Sequence, residues 1–296
     1  MATGVTTNGT AWTTYSATVG ANTVRWGVAN ATAGAADIPT ILYAHGSGGA
    51  SNQFETLSAW LGLREWLLDN GWAWIESTGG GSKSWGNAAA RTAYEEAYTH
   101  VAGVIDVGTV VPLGRSMGGV VAQWLFTKST VVAPVSGGAI INSGVQSLGA
   151  WYEAGIDQAA VLAAYGATDS ASFYAAITGY EALDFPATDW AGKKIIQLVG
   201  DSDTTVPAED HGLAMRTHYA EQPTVDLLDV RVGGDHSAGN GSYLEVDAMA
   251  SFLNVVMGIE PPPEEPDPEE NVYYKTTRAY VIGEDLLRYE IRLGPA

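Results

Sequence analysis

The sequence predicts an α/β protein with a mostly parallel central sheet and helices on both faces. Three observations carry this. Runs of β-branched and aromatic residues alternate with helical patterns through most of the 296 residues, the signature of strands joined by helical crossovers. The chain is 46% hydrophobic and holds 10 Trp and 14 Tyr, enough for a large buried core. In the stretch VVPLGRSMGGVVAQWLF (110–126) an apolar strand becomes a helix at a single serine, Ser116.

Taken in order, TTYSATV (13–19) and TVRWGVA (23–29) flank Gly20, Ala21 and Asn22 and read as an N-terminal hairpin. PTILYAH (39–45) is a strand, and residues 54–71 form one amphipathic helix stopped at Gly71. WAWIES (72–77) is the next strand and 87–105 the next helix. TVVPLG (109–114) is a strand leading to Ser116, with a helix behind it. VVAPVSGGAII (131–141), KKIIQLVG (193–200) and VDLLDVRV (225–232) are further buried strands. Between Ile141 and Lys193 lie about fifty residues, far more than an ordinary connection. They carry Trp151, Tyr152, Tyr165, Phe173, Tyr174, Tyr180, Phe185 and Trp190 among helix-forming alanines, so a helical insertion over about 145–190 is expected.

The main domain spans 1–258. Residues 259–270, rich in proline and glutamate, read as a stiff, self-repelling linker. Residues 271–296 read as two short strands around a turn at Gly283, Glu284 and Asp285. A lone hairpin is marginal in water, so this segment needs a surface to pack on: the main domain, a second copy or a larger assembly.

Charge narrows the function. With 33 acidic and 14 basic residues the formal charge is −19, which argues against nucleic acid and anionic membrane surfaces as partners. There is no cysteine, so disulfides, thiolate metal sites and cysteine nucleophiles drop out. No apolar run is long enough to span a membrane and the N-terminus lacks the pattern of a signal peptide, so a soluble chain of unassigned compartment is expected.

Residues 114–118, Gly-Arg-Ser-Met-Gly, fit G-x-S-x-G. A serine on this sharp turn exposes its hydroxyl at the sheet's rim, where the following helix N-terminus favours negative charge. A nucleophilic serine needs a base, and the base needs an orienting group. Of five histidines, His100 and His218 fall inside helical patterns. His211, beside Glu209 and Asp210, reads as solvated. His236 lies in a glycine-rich loop, RVGGDHSAGNGS (231–242), after the last strand of the main domain and can reach the rim. Two acids, Asp201 and Asp203, follow the strand 195–200.

The chain order Ser116, Asp203, His236 resembles that of the α/β-hydrolase superfamily, of the esterase/lipase kind. In that family the acid sits in a G-x-x-D-x-x-V-P pattern, which residues 200–207 match, and the likeness assigns the acid to Asp203. Tyr43-Ala44-His45-Gly46-Ser47-Gly48-Gly49 resembles the family's His-Gly oxyanion motif. It implies a structural His45 and an oxyanion hole from the backbone amides of Ser47 and Met117. The surroundings that would meet substrate are His45, Gly46, Gly48, Arg115, Trp85 and Trp151. The insertion at 145–190 corresponds to the family's cap.

The resemblance therefore implies a serine hydrolase cleaving carboxylic esters, small or polymeric, with an apolar acyl or aryl part and neither metal nor cofactor. Peptidases, thioesterases and surface-tethered hydrolases of envelope esters use the same machinery. A binding module on this scaffold would show a broken triad. A phosphate-loop reading of 78–84 fails because Ser82 separates the last glycine from Lys83. A calcium-loop reading of 201–212 fails at Val206 and Gly212.

Overall fold

The computed structural model describes residues 1–220, 222–259 and 278–279. Its strands are β1 (Ala2–Val5), β2 (Ala11–Val19), β3 (Asn22–Ala29), β4 (Ile38–Ala44), β5 (Ala73–Ser77), β6 (Val107–Arg115), β7 (Ala139–Asn142), β8 (Lys194–Gly200), β9 (Val225–Arg231) and β10 (Arg278–Ala279). They form one sheet in the order β1-β2-β3-β5-β4-β6-β7-β8-β9-β10. From β5 through β9 every pairing is parallel, and the two ends are closed by antiparallel strands.

Side-chain alternation along β4 explains the two covered faces. Ile41 and Tyr43 join Trp74 of β5 and Val111 and Leu113 of β6 in one core. Leu42 and Ala44 join Val24, Ile75 and Val110 in the other. Over the first face lie α2 (Leu61–Asp69) and α9 (Val246–Val256), through Leu63, Leu67, Met249, Phe252 and Leu253. Over the second lie α3 (Ala88–Ala102) and α4 (Gly118–Thr127), through Tyr94, Ala97, Val101, Val121 and Leu125. Helix α8 (Gly212–Tyr219) adds Met215 and Tyr219 to a cluster with Ile141 and Ile195.

The expected single helix over 54–71 is broken. Helix α1 (Gln53–Thr56) stops at Leu57, which is extended at φ −71, ψ 118, and a 3₁₀ turn (Ser58–Trp60) precedes α2. The cause is tertiary: the amides of Phe54 and Glu55 donate to the buried Glu76 carboxyl at 2.8 and 3.2 Å. Arg64 donates to the Phe54 carbonyl at 2.8 Å, and Glu55 pairs with Arg25. These bonds fix the first turn at an angle the next cannot continue. The strand expected over 131–141 is shorter as well: Pro134 lies in a 3₁₀ turn (Ala133–Val135), Ser136 makes an isolated bridge to Val110, and the continuous strand starts at Ala139. Strand β1, unanticipated, pairs antiparallel with β2.

The insertion between β7 and β8 folds as α5 (Leu148–Glu153), α6 (Gln158–Ala164), α7 (Ser170–Ile177) and two 3₁₀ turns (Ala182–Asp184, Ala187–Trp190). Its aromatic residues glue it together, Tyr152 and Phe173 at 4.6 Å and Tyr165 and Tyr180 at 5.5 Å between ring centroids. Asn87 donates to the Ala164 carbonyl at 2.8 Å, and the Tyr165 hydroxyl donates to the Trp85 carbonyl at 2.7 Å. Among the described residues no helix is long and apolar enough to cross a membrane. The linker and the turn expected at 283–285 lie outside the described residues. Of the segment 271–296, where a hairpin is expected, only Arg278–Ala279 is described, antiparallel to β9.

Arg91 ties the insertion to the body. Its guanidinium lies 4.9 Å from the Trp124 ring and 4.2 Å from the Tyr180 ring, and donates to the Gly86 and Tyr180 carbonyls at 3.1 and 2.8 Å. Burial brings it down to about 10, so it stays charged at neutral pH. Arg91→Met leaves both carbonyls without their donor and is expected to cost about 2–4 kcal/mol, measured by urea unfolding.

Candidate active site

Strand β6 ends at Arg115 and α4 begins at Gly118, so Ser116 occupies the turn between them with φ +52. A non-glycine residue there is strained by about 1–2 kcal/mol. Three backbone hydrogen bonds hold it. Its amide donates to the Asn142 carbonyl at 3.1 Å, and its carbonyl accepts from Gly119 and Val145 at 2.9 and 2.8 Å. The flanking glycines are steric necessities: a Cβ on Gly114 would stand 2.4 Å from the Gly118 carbonyl oxygen, and one on Gly118 2.1 Å from that of Ala44.

His236 Nε2 lies 2.9 Å from Ser116 Oγ, and its Nδ1 lies 2.7 Å from Asp203 Oδ2. With the proton assigned to Nδ1, that nitrogen donates to the carboxylate and Nε2 is free to accept from the serine hydroxyl. The other Asp203 oxygen accepts from the amides of Thr205 and Val206 at 2.9 and 2.8 Å. Burial works against the Asp203 charge, but the hydrogen bond and charge of His236 and the two amides outweigh it, so its carboxyl sits below the usual range. The acid is ionised at any pH where the imidazole can act as a base.

Asp201 joins the two loops. Its Oδ1 accepts from the Gly233 amide at 2.6 Å, while the Ser202 amide donates to the Gly234 carbonyl at 3.0 Å. The Arg115 guanidinium reaches the His236 carbonyl at 3.4 Å. It therefore touches the histidine's loop.

The turn after β4 brings its glycines against the serine; a Cβ on Gly46 would stand 3.3 Å from Ser116 Cβ. Here the His45 amide donates to the Tyr94 hydroxyl oxygen at 3.1 Å, and the Gly46 amide donates to Gln53 Oε1 at 3.0 Å. Gly48 donates to the Ser82 carbonyl and Gly49 to that of Gly46, at 2.8 and 2.9 Å. Among the described residues, the amides of Ser47 and Met117 meet no protein acceptor.

Three of the expected substrate contacts, His45, Trp85 and Trp151, are buried in this structure. The His45 ring is buried, with Nδ1 2.8 Å from the Gly46 carbonyl and Nε2 3.1 Å from that of Thr78. Trp85 is 0% and Trp151 4% exposed. Their rings, 5.0 Å apart, pack with Met117, Val120, Val145 and Leu148 beneath the insertion.

His211, expected to be solvated, is only 2% exposed. It caps α8, and its Nδ1 accepts from the Gln146 and Ser147 amides, both at 3.3 Å. These residues open the insertion and follow Val145, which bonds the Ser116 carbonyl. Nothing in its local sequence separates His211 from a surface histidine; the partners are 64 and 65 residues away.

Together these features are those of an α/β-hydrolase fold. No protein-family model matches the chain, and no curated protein matches it in sequence. Solved structures do. Oligopeptidase B from Leishmania major matches over 84% of this chain and 37% of its own, at 13% identity and TM-score 0.61. A puromycin hydrolase matches over 88% and 39%, at 15% identity and TM-score 0.64. An esterase from Pyrococcus furiosus matches over 83% and 91%, at 13% identity and TM-score 0.58. The chain thus spans under two fifths of the length of oligopeptidase B and of the puromycin hydrolase, and nearly all of the esterase's.

Burial lowers His211 to about 4, with Asp210 and Asp203 pulling it up and His236 pushing it further down. An unfolded histidine titrates near 6.5, so the unfolded chain takes up this proton first. Stability is intact above that pH and is lost as the pH falls toward 4. The loss by pH 4.5 is expected to reach about 2–3 kcal/mol. His211→Asn keeps an acceptor near Nδ1 and does not titrate. Its Tm is expected to fall less than the wild type's between pH 7.5 and 4.5, as read by calorimetry.

Proposed function

We propose that this protein is a serine hydrolase that cleaves carboxylic esters through an acyl-enzyme. The observation that carries the reading is the unbroken hydrogen-bonded chain from Ser116 Oγ through His236 to Asp203 Oδ2, at 2.9 and 2.7 Å. Ser116 Oγ attacks the ester carbonyl as His236 Nε2 takes its proton. Asp203 orients the ring and stabilises the imidazolium. The amides of Ser47 and Met117 receive the oxyanion, each worth about 3 kcal/mol of barrier. His236 then protonates the departing alcohol, and water repeats the sequence on the acyl-enzyme.

The insertion serves as the cap. Its Leu148 and Trp151 cluster with Trp85 and Met117, which supports a substrate with an apolar acyl or aryl part and a site sheltered from water. Ester cleavage is preferred because the chain spans nearly the whole esterase from Pyrococcus furiosus. A second reading, peptidase activity, is favoured by the likeness to oligopeptidase B.

Hydrolysis of p-nitrophenyl esters from acetate to palmitate tests the proposal. Wild type is expected to peak at one chain length, and Ser116→Ala to lose about 10⁴-fold or more in kcat. Asp203→Asn, which inverts the imidazole's proton preference, is expected to lose about 10³–10⁴-fold. Faster cleavage of peptide p-nitroanilides than of matched esters would establish the peptidase. No turnover of either, with no fluorophosphonate labelling of Ser116, would end the hydrolase reading.

A further inference from the structure

We propose that Gln53 is the positioning residue of the oxyanion site: its side-chain oxygen sets where the Ser47 amide points. The inference rests on the serine-hydrolase reading above. Gln53 opens α1 and touches none of the three residues Ser116, His236 and Asp203 in any hydrogen bond. Its Oε1 accepts from the Gly46 amide at 3.0 Å and from the Tyr43 hydroxyl at 2.7 Å. The Tyr43 hydroxyl in turn accepts from Trp60 Nε1 at 3.2 Å.

The direction of this relay is determined by its chemistry. An indole nitrogen and a backbone amide can only donate, so the phenol must give its proton to Gln53, and the Gln53 atom facing both donors must be the oxygen. Tyr43 and Trp60 are fully buried. Burial pushes the Tyr43 phenol far above its ordinary value, so it remains a donor at every working pH.

The other end of the turn rests on the same carboxamide. A Cβ on Gly49 would stand 2.8 Å from Gln53 Nε2, and the Gly49 amide donates to the Gly46 carbonyl at 2.9 Å. That carbonyl belongs to the peptide plane that carries the Ser47 N–H. One side chain therefore bonds the turn at Gly46 and lies beside it at Gly49, with Ser47 between them. Without the oxygen, the Gly46 amide and the Tyr43 hydroxyl both lose their acceptor, and the plane keeps only the Gly49 amide and the His45 ring to hold it. Misplacing a catalytic group by 1 Å costs up to about 10²-fold in rate.

The test compares Gln53→Leu, which removes the acceptor, with Gln53→Glu, which keeps an oxygen for both donors. Gln53→Leu is expected to lower kcat by about 10–100-fold with KM within about twofold of wild type. Labelling of Ser116 by a fluorophosphonate, which also passes through an oxyanion, slows in parallel. Amide exchange in the peptide containing Ser47 quickens. Gln53→Glu recovers most of kcat. Tyr43→Phe, which removes one of the two donors and little volume, is expected to give a smaller loss in the same direction and serves if Gln53→Leu fails to fold.

An active wild type with unchanged kcat in Gln53→Leu would overturn the proposal, as would a loss carried by KM or one that glutamate does not repair. A wild type that neither turns over esters nor labels at Ser116 would instead bring down the hydrolase reading itself, and the proposal with it.

Discussion

Helix α4 passes strand β4 so closely that the smallest side chain would not fit between them; a Cβ on Gly118 would meet the Ala44 carbonyl oxygen at 2.1 Å. That approach brings the end of β6, the start of α4 and the turn after β4 into one place. Ser116 is pressed into a left-handed conformation at the junction, with Gly46 against it. The strain is held because the neighbouring strand and loop supply bonds through Asn142, Val145 and Gly119. Relaxing the turn would break all three. A rigid core on both sheet faces makes such local strain affordable.

The loops that complete the rim are braced differently, by polar contacts. Asp203 is fixed through two amides of its own turn, and Asp201 carries the neighbouring loop by accepting from Gly233. Below them Ser242 bonds Ser143, with Asn142 and the Leu198 carbonyl also in reach. The segment after His236 is thereby tied to the ends of β7 and β8. Buried polar groups of this kind are costly unless paired, and once paired they define one geometry. His211 and Arg91 extend the same principle to the insertion, one at its first residues and the other near its end.

Much of this was legible in the chain. The alternation of strands and helices revealed the sheet, because a strand buried on both faces must be apolar throughout. The elbow at Ser116 was legible because close packing demands small residues at fixed offsets. Asp203 was separable from Asp201 only through the family pattern, and the structure brings Asp203 beside His236 while Asp201 holds the loop. What escaped was whatever depends on a distant partner. The helix over 54–71 has good periodicity, yet Glu76 on another strand bends its first turn. His211 and Gln53 carry no local mark, since their partners come from other elements or from atoms the pattern does not encode.

By itself the sequence determined the α/β class, the order of elements and the residues able to supply nucleophile, base and acid. Those properties are written in hydrophobic period, small-residue spacing and chemical type, which are local. Only the tertiary structure decided that Ser116, His236 and Asp203 are in hydrogen-bond contact, that Trp85 and Trp151 face each other in a closed apolar cluster, and that His211 is buried and neutral. Those properties depend on distances between segments far apart in the chain, and such distances are set by how the two sheet faces and the insertion pack.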